Sequence, residues 1–571
     1  LASGFLLARQ APTDRAYETL FERSGGKETP PYEEVISYFQ RLAADFEAVR
    51  MLPMGITDSG EPLHLVLLDE QLDFDPATWH EKGRPVVFIQ NGIHPGEPDG
   101  IDASMLFLRD ILLKKIPHDP RVALAIVPVY NVGGHLNRNT HSRVNQNGPE
   151  AYGYRGNARN YDLNRDFLKA DTRNARSFQQ LFQFLKPHIF IDTHVSNGAD
   201  YQHVMTMIST QSDRLGGRAG SYLREHMNPT LYAEMEKKGF PMIPYMSAYG
   251  SKPEDGWPQF KDLGRYSSGY AALFSTISFM PETHMLKPYA DRVASTYAFF
   301  EVVLEVLAAS GAEIVAHVQA DRAAIQHQEL FPLNFVLDRS RSTPMTFMGY
   351  RSGQKPSAIS GKDRLYYDRE QPFTTTVPFY EFYSPSLQKK APKAYVIPQG
   401  WYPVIENLKR NNVRLQALER DSSFQVTAYK IAAYQTSSTP FEGHFMHRDV
   451  KVEEAQEVRQ FRKGDYLVLL DQEANRFLIE VLEPESEDSF FVWNFFDTIL
   501  QAKEGFSAYV FEDLAASYLE EQPELKAALE SAKAADPELA ASGPRQLRWV
   551  YERSPWKDPA HMRYPVYRIE R

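Results

Sequence analysis

Cysteine is absent from the 571-residue chain. That excludes disulfides, thiolate metal ligands and a cysteine nucleophile, so any metal must be held by His, Asp or Glu. Basic charge is short as well: 63 Lys and Arg stand against 74 Asp and Glu, leaving a net charge of −11. With no block of Lys and Arg to offset it, a nucleic-acid partner is not expected. No apolar run reaches the roughly 18 residues of a membrane span; the long apolar stretch around Phe299 to Ala309 is broken by Glu301 and Glu305, so no transmembrane segment is expected. Internal repeats and low-complexity tracts are also lacking.

What is present has the balance of a globular protein, 43% hydrophobic and 24% charged. The length exceeds one ordinary core and predicts two to three domains, at roughly 100 to 200 residues each. Leu1 to Ala8 is a short apolar tail without a basic leader, as left by a trimmed signal peptide, which gives a periplasmic or extracellular expectation.

Apolar residues at helical intervals predict a helix over 32–50, followed by a strand at Leu63 to Leu68. Strand-like runs then recur at Val86 to Gln90, Val122 to Val129, Ile189 to Asp192, Val204 to Ile208 and Thr276 to Met280. Helical stretches at Ile101 to Lys115, Arg173 to Leu185, Arg218 to Lys238 and Ala290 to Ala309 separate several of them. This alternation predicts an α/β fold, a mixed, mostly parallel sheet covered by helices on both faces, with ligands beyond the carboxyl ends of the strands. After about residue 330, Pro-containing strand-like runs dominate, and 511–541 returns to a helical composition. The predicted organisation is an N-terminal extension over 1–31, a catalytic α/β domain over 32–330 and a β-rich, α+β C-terminal region over 331–571.

Three strand ends carry the chemistry. His94 and Glu97 follow the run at 86–90, His194 closes Ile189-Phe190-Ile191-Asp192-Thr193-His194, and Glu282 closes Ile277-Ser278-Phe279-Met280-Pro281-Glu282. Two histidines and a carboxylate suit a tetrahedral zinc site with an open position, and a further carboxylate suits the general base beside it. Asp192 is placed to orient His194 through its other ring nitrogen. The irregular stretch 133–160 reads as a site-forming loop. Between Arg138 and Arg176, seven arginines face four acidic residues, a local surplus that suits an anionic substrate terminus. Arg165 in particular has the planar fork that grips a carboxylate.

His94-Pro95-Gly96-Glu97, Asp162-Leu163-Asn164-Arg165, Asp192-Thr193-His194 and the late Glu282 stand in the order found in the zinc metallocarboxypeptidases of the A/B type, which the chain resembles over roughly 32–311. The resemblance implies one Zn2+ held by His94, Glu97 and His194. It implies Glu282 as the residue that activates water and passes the proton to the leaving amine, and Arg155 as the oxyanion arginine, a role open also to Arg143 or Arg159. Asn164 and Arg165 would hold the terminal carboxylate of a peptide or peptide-like substrate. The sequence departs from the family at its mobile substrate-capping tyrosine: Tyr249, Tyr266 and Tyr270 lie within reach of that role, none in a distinctive motif, and each is as readily a packing residue. His284, an addition after Glu282, is expected to satisfy a neighbouring carbonyl. The aromatic run Phe490 to Phe496 beside its acidic turn is expected at a domain interface.

The resemblance thus implies release of C-terminal amino acids from peptides. Two alternatives use the same residues: an amidohydrolase of N-acyl amino acids or cell-wall isopeptides, and a binding protein on an inactive peptidase scaffold.

Overall fold

The computed structural model describes residues 14–246 and 253–571. The apolar tail at Leu1 to Ala8 and Tyr249 lie outside the described residues. Helix α1 (Tyr32–Asp45) leads into the antiparallel strands β1 (Val49–Ile56) and β2 (Pro62–Leu68). β3 (Val86–Gln90), β4 (Ala123–Val127), β5 (Ile189–Asp192), β6 (His194–Ser196), β7 (Met205–Ser209) and β8 (Ile243–Pro244) follow, then the short β9 (Trp257–Pro258) and β10 (Ile277–His284). Among the described residues all but β9 form one nine-stranded sheet in the order β1-β2-β4-β3-β5-β10-β7-β8, with β6 paired to β10.

β3, β4 and β5 run parallel and are buried along their whole length, which is why their sequences are continuous apolar runs rather than alternating ones. Helices cover both faces. On one lie α1, α2 (Asp99–Leu112), α4 (Asn228–Lys237) and α6 (Tyr289–Ile325), packed on Val87, Ile89 and Ile191. On the other lie α3 (Arg173–Leu185) and α5 (Ser267–Ala272), whose Phe178, Phe182 and Tyr270 meet Phe88 and Phe190; those last two rings stack at 4.9 Å.

Boundaries differ from expectation in several places, and the strand expected over 276–280 runs on to His284 as β10. The first helix ends at Asp45 rather than 50, because Val49 is already the first residue of β1. The helix expected over 218–238 contains a π turn at Leu223–Met227. α6 runs on from Ala309 to Ile325 through Ser310-Gly311, which reads as a stop; a Cβ on Gly311 would lie 2.6 Å from Pro85 Cγ, so the glycine serves close packing. No helix among the described residues is long and apolar enough to cross a membrane.

The C-terminal region is built on two long antiparallel hairpins and a six-stranded sheet. The strands are β11 (Leu330–Leu337), β12 (Thr343–Pro356), β13 (Asp363–Tyr380), β14 (Tyr383–Lys390), β15 (Ala394–Ile397), β16 (Gln416–Ala417), β17 (Ser422–Thr436), β18 (His447–Phe461), β19 (Tyr466–Leu469) and β20 (Tyr567–Ile569). β12 and β13 form one hairpin, β17 and β18 the other. Helices over 508–551 complete the region.

This region shares a core with the α/β part. Leu168, Leu273 and Ile325 are buried in one cluster with Tyr395, Phe477 and Phe490. The aromatic run Phe490 to Phe496 lies in that seam: Trp493 donates to Asp488, and the Lys169 ammonium and Arg265 guanidinium sit over its ring at 5.4 and 4.9 Å. The first hairpin grips the other side. β13 pairs with β9, and Gln202 donates to the Met348, Gly349 and Phe373 carbonyls.

Candidate active site

The turn after β3 carries His94 and Glu97, the Thr193 link between β5 and β6 delivers His194, and β10 delivers Glu282 in register beside His194. Parallel pairing of β3, β5 and β10 brings these strand ends to one edge of the sheet. They line a cavity of about 370 Å³ that is also lined by Arg143, Arg155, Asn164, Arg165 and Tyr266.

His94, Glu97 and His194 are all buried, and one donor atom from each lies within 4.8 Å of the others. His94 Nδ1 is 3.4 Å from Glu97 Oε1, and His194 Nδ1 is 3.4 Å from Glu97 Oε2. Ligand bonds of about 2.0–2.1 Å in a tetrahedron require donors about 3.3 Å apart, so the three fit a zinc ion. Carboxylates hold both rings in the tautomer that turns Nδ1 inward: His94 Nε2 donates to Asp162 Oδ1 at 2.9 Å, and His194 Nε2 to Asp192 Oδ2 at 3.0 Å.

Electrostatics follow from these contacts. Burial opposes charge on His194, yet Asp192, Glu97 and Glu282 outweigh it and raise its basicity well above that of a free imidazole. Burial likewise works against the Glu97 carboxylate, but Arg143, His94 and His194 hold it well below the usual carboxylate range. Glu282 differs. Removal from water, opposed by His194 and reinforced by the Glu97 charge, pushes it up to about 7.

Arg143 and Arg155 both reach the cavity. Arg143 donates to Glu97 Oε1 at 2.9 Å, while Arg155, half exposed, donates to Asp162 Oδ2 at 2.8 Å and lies 3.3 Å from His94 Nδ1. Arg159 is elsewhere, stacked on Tyr161 and near Asp58. Asn164 and Arg165 sit on a short helical turn capped by Asp162, whose side chain accepts the Asn164 N–H. The Arg165 guanidinium lies over the Tyr266 ring at 4.7 Å. Tyr270 does not reach the cavity; it is buried and donates to Asn411. His284 is buried with Nε2 on the Ala199 carbonyl, and burial lowers it to about 4. It is a packing residue.

Two participants escape a reading of the sequence. Asp162 orients His94 across 68 positions, and Arg143 pairs with Glu97 across 46. Asp162 lies inside the Asp-Leu-Asn-Arg motif and was within reach; nothing in the sequence paired Arg143 with Glu97.

Residues 35–211 match the family described as zinc carboxypeptidase. Over that stretch the chain is similar to the zinc carboxypeptidases. His94, Glu97 and His194 all lie within the matched residues. Carboxypeptidase 2 of Trichophyton rubrum is 22% identical over 435 residues, covering 71% of this chain and 72% of that protein. Carboxypeptidase 2 of Trichophyton equinum is also 22% identical, over 433 residues and the same shares of the two chains. Among solved structures, a metallo-carboxypeptidase from Burkholderia cenocepacia is 17% identical with a TM-score of 0.37, covering 49% of this chain and 70% of that one.

The carboxylates that orient His94 and His194 give a direct expectation. Asp192→Asn leaves His194 in place but removes the charge that fixes its ring, so zinc affinity should fall about 10- to 100-fold in chelator competition. Unchanged affinity would show that Asp192 has no part in orienting the ligand.

Proposed function

We propose that the protein hydrolyses the last peptide bond of substrates with a free C-terminal carboxylate, using one zinc ion held by His94, Glu97 and His194. The observation that carries this reading is the gathering of three kinds of group in one cavity: a donor cluster, a carboxylate outside that cluster, and an Asn-Arg pair. A zinc ion bound there would supply Lewis acidity to a water molecule and to the scissile carbonyl.

The chain's own residues do the rest. Glu282, raised to about 7, is poised to take a proton from water and return it to the leaving amine. Arg165, braced on Tyr266, offers its fork to the substrate carboxylate, with Asn164 beside it. Arg155 faces the developing oxyanion.

The last role is separable from its neighbour's. Arg155→Ala is expected to lower kcat about 10²-fold or more with KM little changed, as for loss of an oxyanion donor. If Arg143→Ala does this and Arg155→Ala does not, the role passes to Arg143.

The reading as a whole is tested by mass spectrometry of paired peptides, one with a free C-terminus and one amidated, incubated with the zinc-loaded protein. Stepwise loss of terminal residues from the free member alone is the expected result. Silence on both, with turnover of N-acyl amino acids, would transfer the site to amidohydrolase chemistry.

A further inference from the structure

The turn between β17 and β18 reaches across to the catalytic part. Its Glu442 accepts the Asp162 backbone N–H through Oε2 at 2.9 Å, and His444 Nε2 donates to Asp171 Oδ2 at 2.7 Å. Asp171 also receives the Lys169 ammonium, which bridges to Asp166. Thus both ends of the segment carrying Asn164 and Arg165 are tied to one turn of the C-terminal region.

The turn is shaped for that contact. Glu442 adopts φ +48 and Gly443 φ +79, and Phe441 and His444 exchange backbone hydrogen bonds across them. A non-glycine residue in the left-handed region is held there at a cost, a conformation that clusters at functional clamps. A Cβ on Gly443 would lie 3.1 Å from the Tyr161 hydroxyl, so the turn presses on the residue preceding Asp162.

Asp162 is the junction that matters. Its side chain orients His94, receives Arg155 and caps the turn of Asn164 and Arg165. We propose that Glu442 is a positioning residue for substrate-carboxylate binding: by holding the Asp162 backbone it fixes where Asn164 and Arg165 stand, which makes the C-terminal region part of the carboxylate site. This rests on the reading of Asn164 and Arg165 given above. Glu442 itself touches neither the donor cluster nor Glu282, and its bond is to the Asp162 backbone while the side-chain bonds of Asp162 to His94 and Arg155 remain, so the effect is expected on substrate binding.

The test uses the full chain, zinc-loaded, in a Glu282→Gln background that binds without turnover. Calorimetry measures a short peptide with a free C-terminus and its amide. Glu442→Ala should weaken the free peptide about tenfold, as a small displacement of a positioning group does, with zinc content and thermal midpoint unchanged. Glu442→Gln keeps an acceptor for the Asp162 N–H and should restore binding to within about threefold, a rescue that a merely electrostatic role would not show. Equal affinity of the Ala variant and its parent overturns the inference and leaves the proposed activity standing. No preference for free peptide over amide in the Glu282→Gln parent itself overturns both.

Discussion

Glu282→Gln is expected to lower kcat about 10³-fold or more while leaving zinc content and fold intact. The side chain lies in the cavity wall beside His194 but outside the donor cluster, so its loss removes no ligand. Glutamine keeps the shape and discards the one property the proposed chemistry needs, a carboxylate that accepts and returns a proton. Burial already pushes this carboxylate up to about 7, so replacing it with a neutral amide also removes a desolvation cost. The variant should therefore be no less stable than the parent at pH 8. Near-parental turnover by the variant would remove Glu282 from the mechanism, and loss of zinc along with activity would recast it as a ligand.

Arg292→Met should cost about 3–5 kcal/mol of stability, the range for breaking a buried ion pair by deleting one partner. Arg292 is fully buried near the start of α6, and its guanidinium donates to both oxygens of Asp99, the first residue of α2, at 3.1 and 3.3 Å. The same group also donates to the carbonyls of Asn147, Gly148, Met285 and Lys287. One side chain thereby ties together α2, α6, the end of β10 and the loop that carries Arg143. Methionine fills much of the volume but satisfies none of these acceptors, and it leaves a buried carboxylate without its counter-charge. Urea unfolding followed by tryptophan fluorescence reads the difference. A second substitution, Asp99→Asn, should recover part of the loss, since it removes the stranded charge. A cost under about 1 kcal/mol would mean that water enters and substitutes for the arginine.

The strands of the catalytic sheet were legible because burial on both faces writes them as unbroken apolar runs. Val86 to Gln90 and Ile189 to Asp192 have the observed bounds. The donor cluster was legible for a related reason: its members sit at the ends of those runs, where a His or Glu interrupts an apolar pattern. What escaped is what depends on packing. Gly311 has the local character of a terminator, and only the approach to Pro85 explains a helix that passes through it. Arg143, Arg155 and Arg159 look alike in an aperiodic loop, and folding separates them by sending two to the cavity and one to Tyr161. Glu442 gave no signal, because its partner lies in the other half of the chain.

The hydrogen bond from Asp162 to Glu442 spans 280 positions of sequence. Closing so long a segment carries only a modest entropic penalty, growing as about (3/2)RT ln n. Its larger consequence concerns time. On a ribosome the donor cluster and Glu282 have all emerged by position 282, but the brace on the Asn164 and Arg165 turn must await a residue 160 positions further on. If Glu442 braces the site as proposed, the carboxylate-binding turn is the last part of the site to be secured, set only when the hairpin of β17 and β18 folds back onto it.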